Sequence, residues 1–281
     1  MSNAPPQTNA GHSDQAFVKA SQYTFETLAQ LYNQSRIDYI VPMPMNARRM
    51  EEYILYNDVA LDASIVTLNG SGEETGIGML GLRDRRAWFT RLGVIPERRG
   101  HKVGQFITEN LIQQARNNDA THGQLEVIEG NEPAFNLFRK LGFEPTRKLL
   151  VIRRPPGKAK TSALSDTTGA TLLTQDEIHA CLTARTDQPS WLDETASLLH
   201  AGMLEGLCLG GDWVIYRKTT VQLSAFIFNA PENAPLLIRA VHQRHPMLDT
   251  KIENVETHLW AAYQAAGYFE AFARIEMHLS L

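Results

Sequence analysis

Cysteine is nearly missing from this sequence: of 281 residues only Cys181 and Cys208 carry a thiol, both in the second half. Two are too few for a disulfide scaffold, so the chain suits a reducing compartment and both read as small core residues. No stretch approaches the ~18 consecutive apolar residues that cross a bilayer. The first fifteen residues also lack the basic start and apolar centre of a secretion signal. A soluble, cytoplasmic protein with no membrane partner is therefore expected. Basic charge is short as well. The net charge of −4 divides unevenly at residue 160, with 20 Lys and Arg against 17 Asp and Glu before it and 7 against 14 after it. The first part, at +3, suits a polyanionic ligand. The second, at −7, argues against broad nucleic-acid binding, which needs a clustered basic face. Against these absences stand 43% apolar and 21% charged residues, ordinary globular usage. The length favours two domains.

Residues 1–14, with Pro5, Pro6 and Gly11 and no periodicity, read as a flexible arm. From 15 to 153 the order is β-α-α-β-β-β-α-β-α-β. Helices are expected at 24–35, on Leu28, Leu31 and Tyr32, and at 46–56, on Met50, Tyr53 and Ile54. Strands follow at 60–68, 76–82 and 88–94, then a helix at 103–117, a strand at 123–128, a helix at 132–141 and a strand at 147–153. This is a mixed sheet covered by helices, an α/β domain. The stretch 154–169, with Pro155, Pro156, Gly157 and Gly169 among small polar residues, marks a linker. Residues 170–281 repeat the order: a strand at 170–174, helices at 176–184 and 191–200, strands at 213–216 and 220–228, a helix at 233–243, a strand at 250–255, a helix at 256–266 and a strand at 271–279. Phe138-x-x-x-Gly142-Phe143 has a counterpart in Tyr263-x-x-x-Gly267-Tyr268, which points to an internal repeat. A glycine C-cap followed by a buried aromatic also arises independently.

Arg98-Arg99-Gly100-His101-Lys102-Val103-Gly104-Gln105 follows a strand directly and precedes a helix carrying Phe106, Ile107, Leu111 and Ile112. The first N–H groups of a helix have no internal partner and sit at the positive end of its dipole, so they can cradle a pyrophosphate. Gly100 and Gly104 allow close backbone approach, while Arg99 and Lys102 add charge. Taken alone, this loop reads equally well as a solvated turn. A second segment lies on the helix after the next strand: Asn131-Glu132-Pro133-Ala134-x-x-Leu137-Phe138-x-x-Leu141-Gly142-Phe143.

In this order the two segments resemble the GNAT superfamily of acetyltransferases, whose loop reads Arg/Gln-x-x-Gly-x-Gly/Ala and whose later helix reads Asn-x-x-Ala-x-x-Leu-Tyr-x-x-x-Gly-Phe. The resemblance covers residues 16–153 and extends to Leu92-Gly93-Val94 and Leu125-Glu126-Val127. It implies two tandem GNAT-like domains, with acetyl-CoA bound in the first. Arg99, Gly100, His101, Lys102, Val103, Gly104 and Gln105 would hold the pyrophosphate. Val94, with Ile95 beside it, would bind the pantetheine arm by its main chain, in a splay beside strand 123–128. Asn131 and Phe138 would also touch the cofactor. Two departures stand out. Lys102 replaces the middle glycine of the loop, which is tolerable if its φ is negative, with the side chain toward solvent or a CoA phosphate. Phe138 stands where many relatives carry a tyrosine that protonates the departing thiolate. Three readings follow: another residue or water supplies the proton; the thiol, with a pKa of roughly 8 to 9 by analogy with cysteine, leaves with little help; or the site binds CoA without turnover.

The first half has no cysteine and no nucleophile beside an evident base, so direct attack by a neutral amine is expected. Such chemistry needs positioning, a base and an N–H facing the oxyanion. Val94 N–H is the candidate donor and Glu126 the candidate base, with Glu129 second; both carboxylates also read as plain strand and turn residues. Asp38 and Tyr39 either line the acceptor pocket or pack. In the second half, Asn229-Ala230-Pro231-Glu232-Asn233-Ala234-Pro235 offers two prolines, an acid and no glycine, a poor phosphate cradle. That half reads as a GNAT-like domain without a cofactor, in which Trp213 and Tyr216 are buried aromatics and His242 and His245 surface histidines, or in which these four help wall the acceptor site. The expected activity is acetyl transfer from acetyl-CoA to a small primary amine, with no metal. A non-catalytic CoA-binding regulatory module and a structural tandem protein are the alternatives. Oligomeric state is open.

Overall fold

The computed structural model describes residues 15–157 and 169–281, together with the backbone of Gln7–Thr8 (β1), which pairs with residues 16 and 17. The rest of the expected arm 1–14, and most of the expected linker 154–169, lie outside the described residues. Packing divides the chain into two compact units, Met1–Thr146 with Glu276–Leu281, and Arg147–Ile275. The division by packing therefore falls inside a strand rather than at the proline-rich stretch, and the last six residues go with the first unit.

In the first unit, β2 (Gln15–Lys19) leads to α1 (Phe25–Gln34) and α2 (Ala47–Tyr56). Each helix begins at a side-chain cap: Thr24 Oγ1 accepts from Thr27 N at 3.2 Å and Asn46 Oδ1 from Arg49 N at 2.9 Å. The apolar residues spaced three and four apart, Leu28, Leu31, Tyr32, Met50 and Ile54, bury one face of both helices against Ile77 and Met79. Then come β3 (Ile65–Asn69), β4 (Glu74–Arg83), β5 (Arg86–Val94), α3 (Val103–Asn117), β6 (His122–Ile128) and α4 (Glu132–Lys140). The expected strand at 60–68 starts late because 60–64 close a turn, with Ala63 N and Ser64 N both donating to the Ala60 carbonyl. Strands β2 to β5 form an antiparallel meander and β6 joins β5 in parallel. Helix α3 sits close to β4 because Gly78 has no side chain; a Cβ there would stand 2.5 Å from Ile107 Cγ2.

The chain continues through β7 (Glu144–Arg154) into the second unit: β8 (Thr171–Leu172), α5 (Gln175–Thr183), α6 (Thr195–Ala201), β9 (Leu204–Leu209), β10 (Asp212–Lys218), β11 (Gln222–Phe228), α7 (Ala234–Arg244), β12 (Asp249–Glu256), α8 (Trp260–Ala265) and β13 (Phe269–Ser280). The element order is that of the first unit. Strand β9 was not expected. It pairs with β10 across Gly210-Gly211, whose φ values of +63° and +97° form a tight hairpin turn. The expected helix at 191–200 is split, because Glu194 is extended between the 3-10 turn Trp191–Asp193 and α6. No helix among the described residues is long and apolar enough to cross a membrane.

Candidate functional site

The parallel ladder between β5 and β6 ends at its third rung, Trp88↔Gln124, although β5 runs on to Val94 and β6 to Ile128. Beyond that rung the two strands part. On the other side of β5 the register jumps from Met79↔Thr90 to Ile77↔Gly93, so Arg91 and Leu92 together oppose Gly78, and Arg91 takes a φ of +52°. This bulge bends β5 away from its straight course. Past the bulge, Ile95 N–H donates to the Thr75 carbonyl at 3.0 Å. In an antiparallel pair that bond makes Val94/Gly76 a non-hydrogen-bonded couple, so the N–H and carbonyl of Val94 point away from β4 and toward the parting of the strands. The carbonyl receives Arg99 Nε at 3.3 Å. Val94 N–H thus faces the gap, as an oxyanion donor must.

Past Val94 the chain makes a 3-10 turn, Pro96–Arg98, and enters the loop. Gly100 has a φ of +82° and a Cβ there would meet nothing within 4 Å. Lys102 has φ +60° and ψ 12°, a left-handed conformation. The condition of a negative φ is therefore not met: the lysine holds the conformation that a glycine would supply, at a cost of about 1–2 kcal/mol. Two bonds hold this turn, Phe106 N–H to the Lys102 carbonyl and Gln15 Nε2 to the His101 carbonyl at 2.8 Å. Helices α1, α2 and α4 are capped by Thr24, Asn46 and Asn131, whereas α3 has no side-chain cap. Its first-turn N–H groups, of Val103, Gly104 and Gln105, are the donors an anion could take. Gly104 lies where β5, α3 and α4 converge; a Cβ there would meet Leu137 at 3.4 Å and Val94 at 3.6 Å.

Not every predicted loop residue turns its side chain to that cradle. Arg99 instead grips Asp38 with Nη1 at 2.7 Å and Nη2 at 2.9 Å, and the Ser35 carbonyl with Nη2 at 3.0 Å. It fastens the α1–α2 connection, and its hydrogen bonds hold the Asp38 carboxyl below the usual carboxylate range. Gln105 is tied between Glu109 at 2.7 Å and Lys140 at 3.0 Å, and Val103 is buried, so each offers backbone alone. Exposed His101 and Lys102 remain beside the cradle.

On the α1–α2 side of the gap, Glu126 Oε2 accepts the indole N–H of Trp88 at 2.8 Å. Trp88 packs on Tyr53, ring centroids 5.8 Å apart, and Tyr53 shares a hydrogen bond with Thr90. Burial pushes the Tyr53 phenol up to about 12, so it is neutral at physiological pH. The Arg91 guanidinium lies 3.8 Å from the Tyr53 ring centre and donates to Tyr32 Oη at 3.1 Å; Arg36 covers Tyr39 at 3.5 Å. Asn131 is occupied in two ways, accepting from Ala134 N as the cap of α4 and donating to Tyr39 Oη at 2.8 Å. Phe138 belongs to the opposite side of the sheet. It is only 6% exposed and packs edge-on against Phe143, which meets Phe89. Core packing thus accounts for Phe138, while Glu129 is exposed in the turn after β6. Tyr53, Trp88, Thr90 and Arg91 were not singled out from the sequence, although alternation along β5 places Trp88 and Thr90 on one face.

In the second unit the ladder between β11 and β12 also stops early, after Gln222↔Asp249 and Leu223↔Thr250, and β11 also bulges, with Ala225 at φ +53°. The chemistry around that gap differs. At the start of α7, Asn233 Nδ2 donates to the Asp212 carboxylate at 2.6 Å. On β12, Asn254 binds Ser190 Oγ at 3.1 Å, beside Trp191, which is fully buried. His242 is not on the surface: it is 1% exposed, with Nε2 sharing a hydrogen bond with Tyr268 Oη at 2.7 Å and Nδ1 3.4 Å from Arg154. His245, largely buried, meets Tyr216 Oη at 3.0 Å and Glu205 at 3.1 Å.

Residues 28–143 match the Acetyltransferase (GNAT) family. A stretch of 59 residues, 21% of this chain, is 32% identical to a Bacillus subtilis protein named as a [ribosomal protein bS18]-alanine N-acetyltransferase and spans 39% of it. Among solved structures, a Pyrococcus horikoshii protein described as an acetyltransferase has a TM-score of 0.68 at 13% identity, over 98% of this chain and 92% of the other. A GCN5-related N-acetyltransferase from Sphaerobacter thermophilus has 0.69 at 14%, over 94% and 95%. A tandem GNAT protein from the clavulanic acid biosynthesis pathway has 0.66 at 14%, over 94% and 98%. At these identities the structural likeness concerns the fold. Residues 28–143 form a domain of the GNAT acetyltransferase family, in a chain with the mixed α/β fold of tandem GNAT proteins.

Proposed function

We propose that the chain is an acetyl-CoA-dependent N-acetyltransferase acting on the primary amine of a small acceptor, with one donor site, in the first unit. The observation that carries this reading is the conjunction at the end of β5: Val94 N–H turned into the gap beside an uncapped, glycine-bearing α3 start. The α3 amides and Lys102 would hold the pyrophosphate, and Val94 would hold the pantetheine arm by main-chain bonds, next to Ile95, whose own N–H is taken by the Thr75 carbonyl. The neutral amine approaches from the Tyr53 and Glu126 side and forms the C–N bond. Its proton passes to the Glu126 carboxylate, the oxyanion is met by Val94 N–H, and the C–S bond breaks to release a thiolate that takes a proton from water. Residues 170–281 would then be a GNAT-like domain without a donor site, and the protein would work in the cytoplasm with neither membrane nor nucleic acid as partner.

Calorimetric titration of acetyl-CoA, with thiol release measured over a panel of small amines, tests the proposal. Micromolar binding is expected, weakened about tenfold or more by Lys102→Glu, which reverses a charge beside the phosphates. Glu126→Gln should keep that affinity and lose about 10²–10⁴ in kcat. Absence of binding to the wild type overturns the donor assignment. Binding without thioester consumption favours instead a CoA-responsive regulatory module, the reading that Phe138 supports by offering no proton to a thiolate.

A further inference from the structure

We propose that Trp88 is a positioning residue for the base: its indole N–H aims the Glu126 carboxylate at the acceptor side of the gap and favours its ionised form. The inference rests on the reading of Glu126 as base. Its starting point is where Trp88 stands. Trp88↔Gln124 is the last rung of the β5–β6 ladder, and Glu126 is two residues further along β6, on the same face as Gln124 and already past the parting. With the backbone bonds gone, the 2.8 Å contact from Trp88 Nε1 to Glu126 Oε2 joins the diverging strands at this point. The donor itself cannot wander. Trp88 is 2% exposed and packs on Tyr53, which is in turn fixed to Thr90 by a hydrogen bond.

Packing by itself would not call for tryptophan here. A phenylalanine could fill much of the same space, but a buried indole needs a partner for its N–H, and here the partner is a carboxylate. A donor to the charged form of an acid favours that form. The bond therefore orients the Glu126 carboxylate and favours its ionised form, the form that receives the ammonium proton. The same face carries a neutral phenol, Tyr53, which does not compete for that proton.

Two measurements test the assignment. In 15N-tryptophan-labelled protein, the Trp88 indole N–H resonance, identified by its loss in Trp88→Phe, should move with pH along a single titration that is absent in Glu126→Gln. In turnover with saturating acetyl-CoA, Trp88→Phe should shift the acidic limb of kcat/KM upward by about one unit, the equivalent of a tenfold change in proton affinity. It should also lower kcat about tenfold while leaving the KM for acetyl-CoA unchanged. A resonance insensitive to Glu126, or a variant whose acidic limb stays in place while its thermal midpoint falls, overturns the assignment and leaves Trp88 a packing residue. Full activity of Glu126→Gln would instead remove the base itself, and the indole titration still distinguishes that result from a misplaced hydrogen bond.

Discussion

Gly93→Ala tests the geometry of the gap by a single methyl group. A Cβ at position 93 would stand 2.0 Å from Ser35 Oγ and 2.7 Å from Ser35 Cβ. Rotation of the hydroxyl could relieve the first contact, at the cost of its 2.8 Å bond to the Tyr32 carbonyl, but no rotamer moves the second. Carbon atoms at rest lie about 3.5–4.0 Å apart, so the end of α1 and β5 must separate by roughly 1 Å. Overpacking of this kind costs about 1–3 kcal/mol, and a loss near 2 kcal/mol lowers the midpoint of a domain of this size by about 4–8 °C. Because Val94 follows directly, the displaced strand also turns its N–H away, and acetyl-CoA binding should weaken together with the midpoint. Thermal unfolding followed by near-UV circular dichroism, with calorimetric titration, reads both. Ser35→Gly removes the colliding Cβ, so the double variant should be no less stable than Ser35→Gly alone, to within about 0.5 kcal/mol. A wild-type midpoint in Gly93→Ala, or losses that simply add in the double variant, would refute the reasoning.

Lys102→Gly should raise stability by up to about 1 kcal/mol, because relief of the left-handed strain outweighs the added freedom of the unfolded chain. Lys102→Ala should give no such gain, while both weaken acetyl-CoA binding to a similar degree; thermal shifts and titrations separate backbone from charge. His242 is held neutral by burial, with the Arg154 charge adding to the effect, and its pKa falls from 6.5 to about 3. Below pH 6.5 the unfolded chain binds the proton that the folded one refuses, so stability should fall with pH between 6.5 and 3, by up to about 1.4 kcal/mol per unit. Urea unfolding across that range should show this slope in the wild type and lose it in His242→Gln.

The sequence made the elements legible wherever periodicity was long and ends were marked. Thr24, Asn46 and Asn131 cap their helices, and the alternation along β4 to β6 fixes which side chains face α1 and α2. Strand β9 escaped because its Leu-Glu-Gly-Leu-Cys-Leu run is short and follows a helix directly, while the two glycines that close its hairpin resemble an ordinary loop. The loop and its helix could be read from composition; the directions of their side chains could not. Arg99 finds Asp38, distant in sequence, and such a pairing depends on tertiary approach rather than on spacing. The φ of Lys102 follows the closing of the turn onto Gln15 and the α3 start, against the local preference of a lysine, so residue type alone does not give its sign. His242 read as a polar surface residue because its partners, Tyr268 and Arg154, come from elements far along the chain.

Comparing the two units separates scaffold from site. Both end the parallel ladder early and both place a non-glycine residue at positive φ in the bulge, Arg91 at +52° and Ala225 at +53°. The bulge is therefore a property of the strand arrangement and is kept whatever side chain stands there, since alanine offers no ligand contact to justify the strain. A gap alone cannot define a donor site. Neither α3 nor α7 has a side-chain cap, so what the first unit adds is Gly100 at φ +82°, Lys102 and a first helical turn free of proline. At the same place the second unit has Pro231, Pro235 and the Asp212–Asn233 pair, which withdraw N–H donors and bring an anion near. Its β12 is bonded to Ser190, beside buried Trp191, where the first unit leaves the residues between α1 and α2 largely exposed. If gap geometry alone sufficed, acetyl-CoA would titrate with two sites per chain; if the loop decides, it titrates with one, and Lys102→Glu weakens that one.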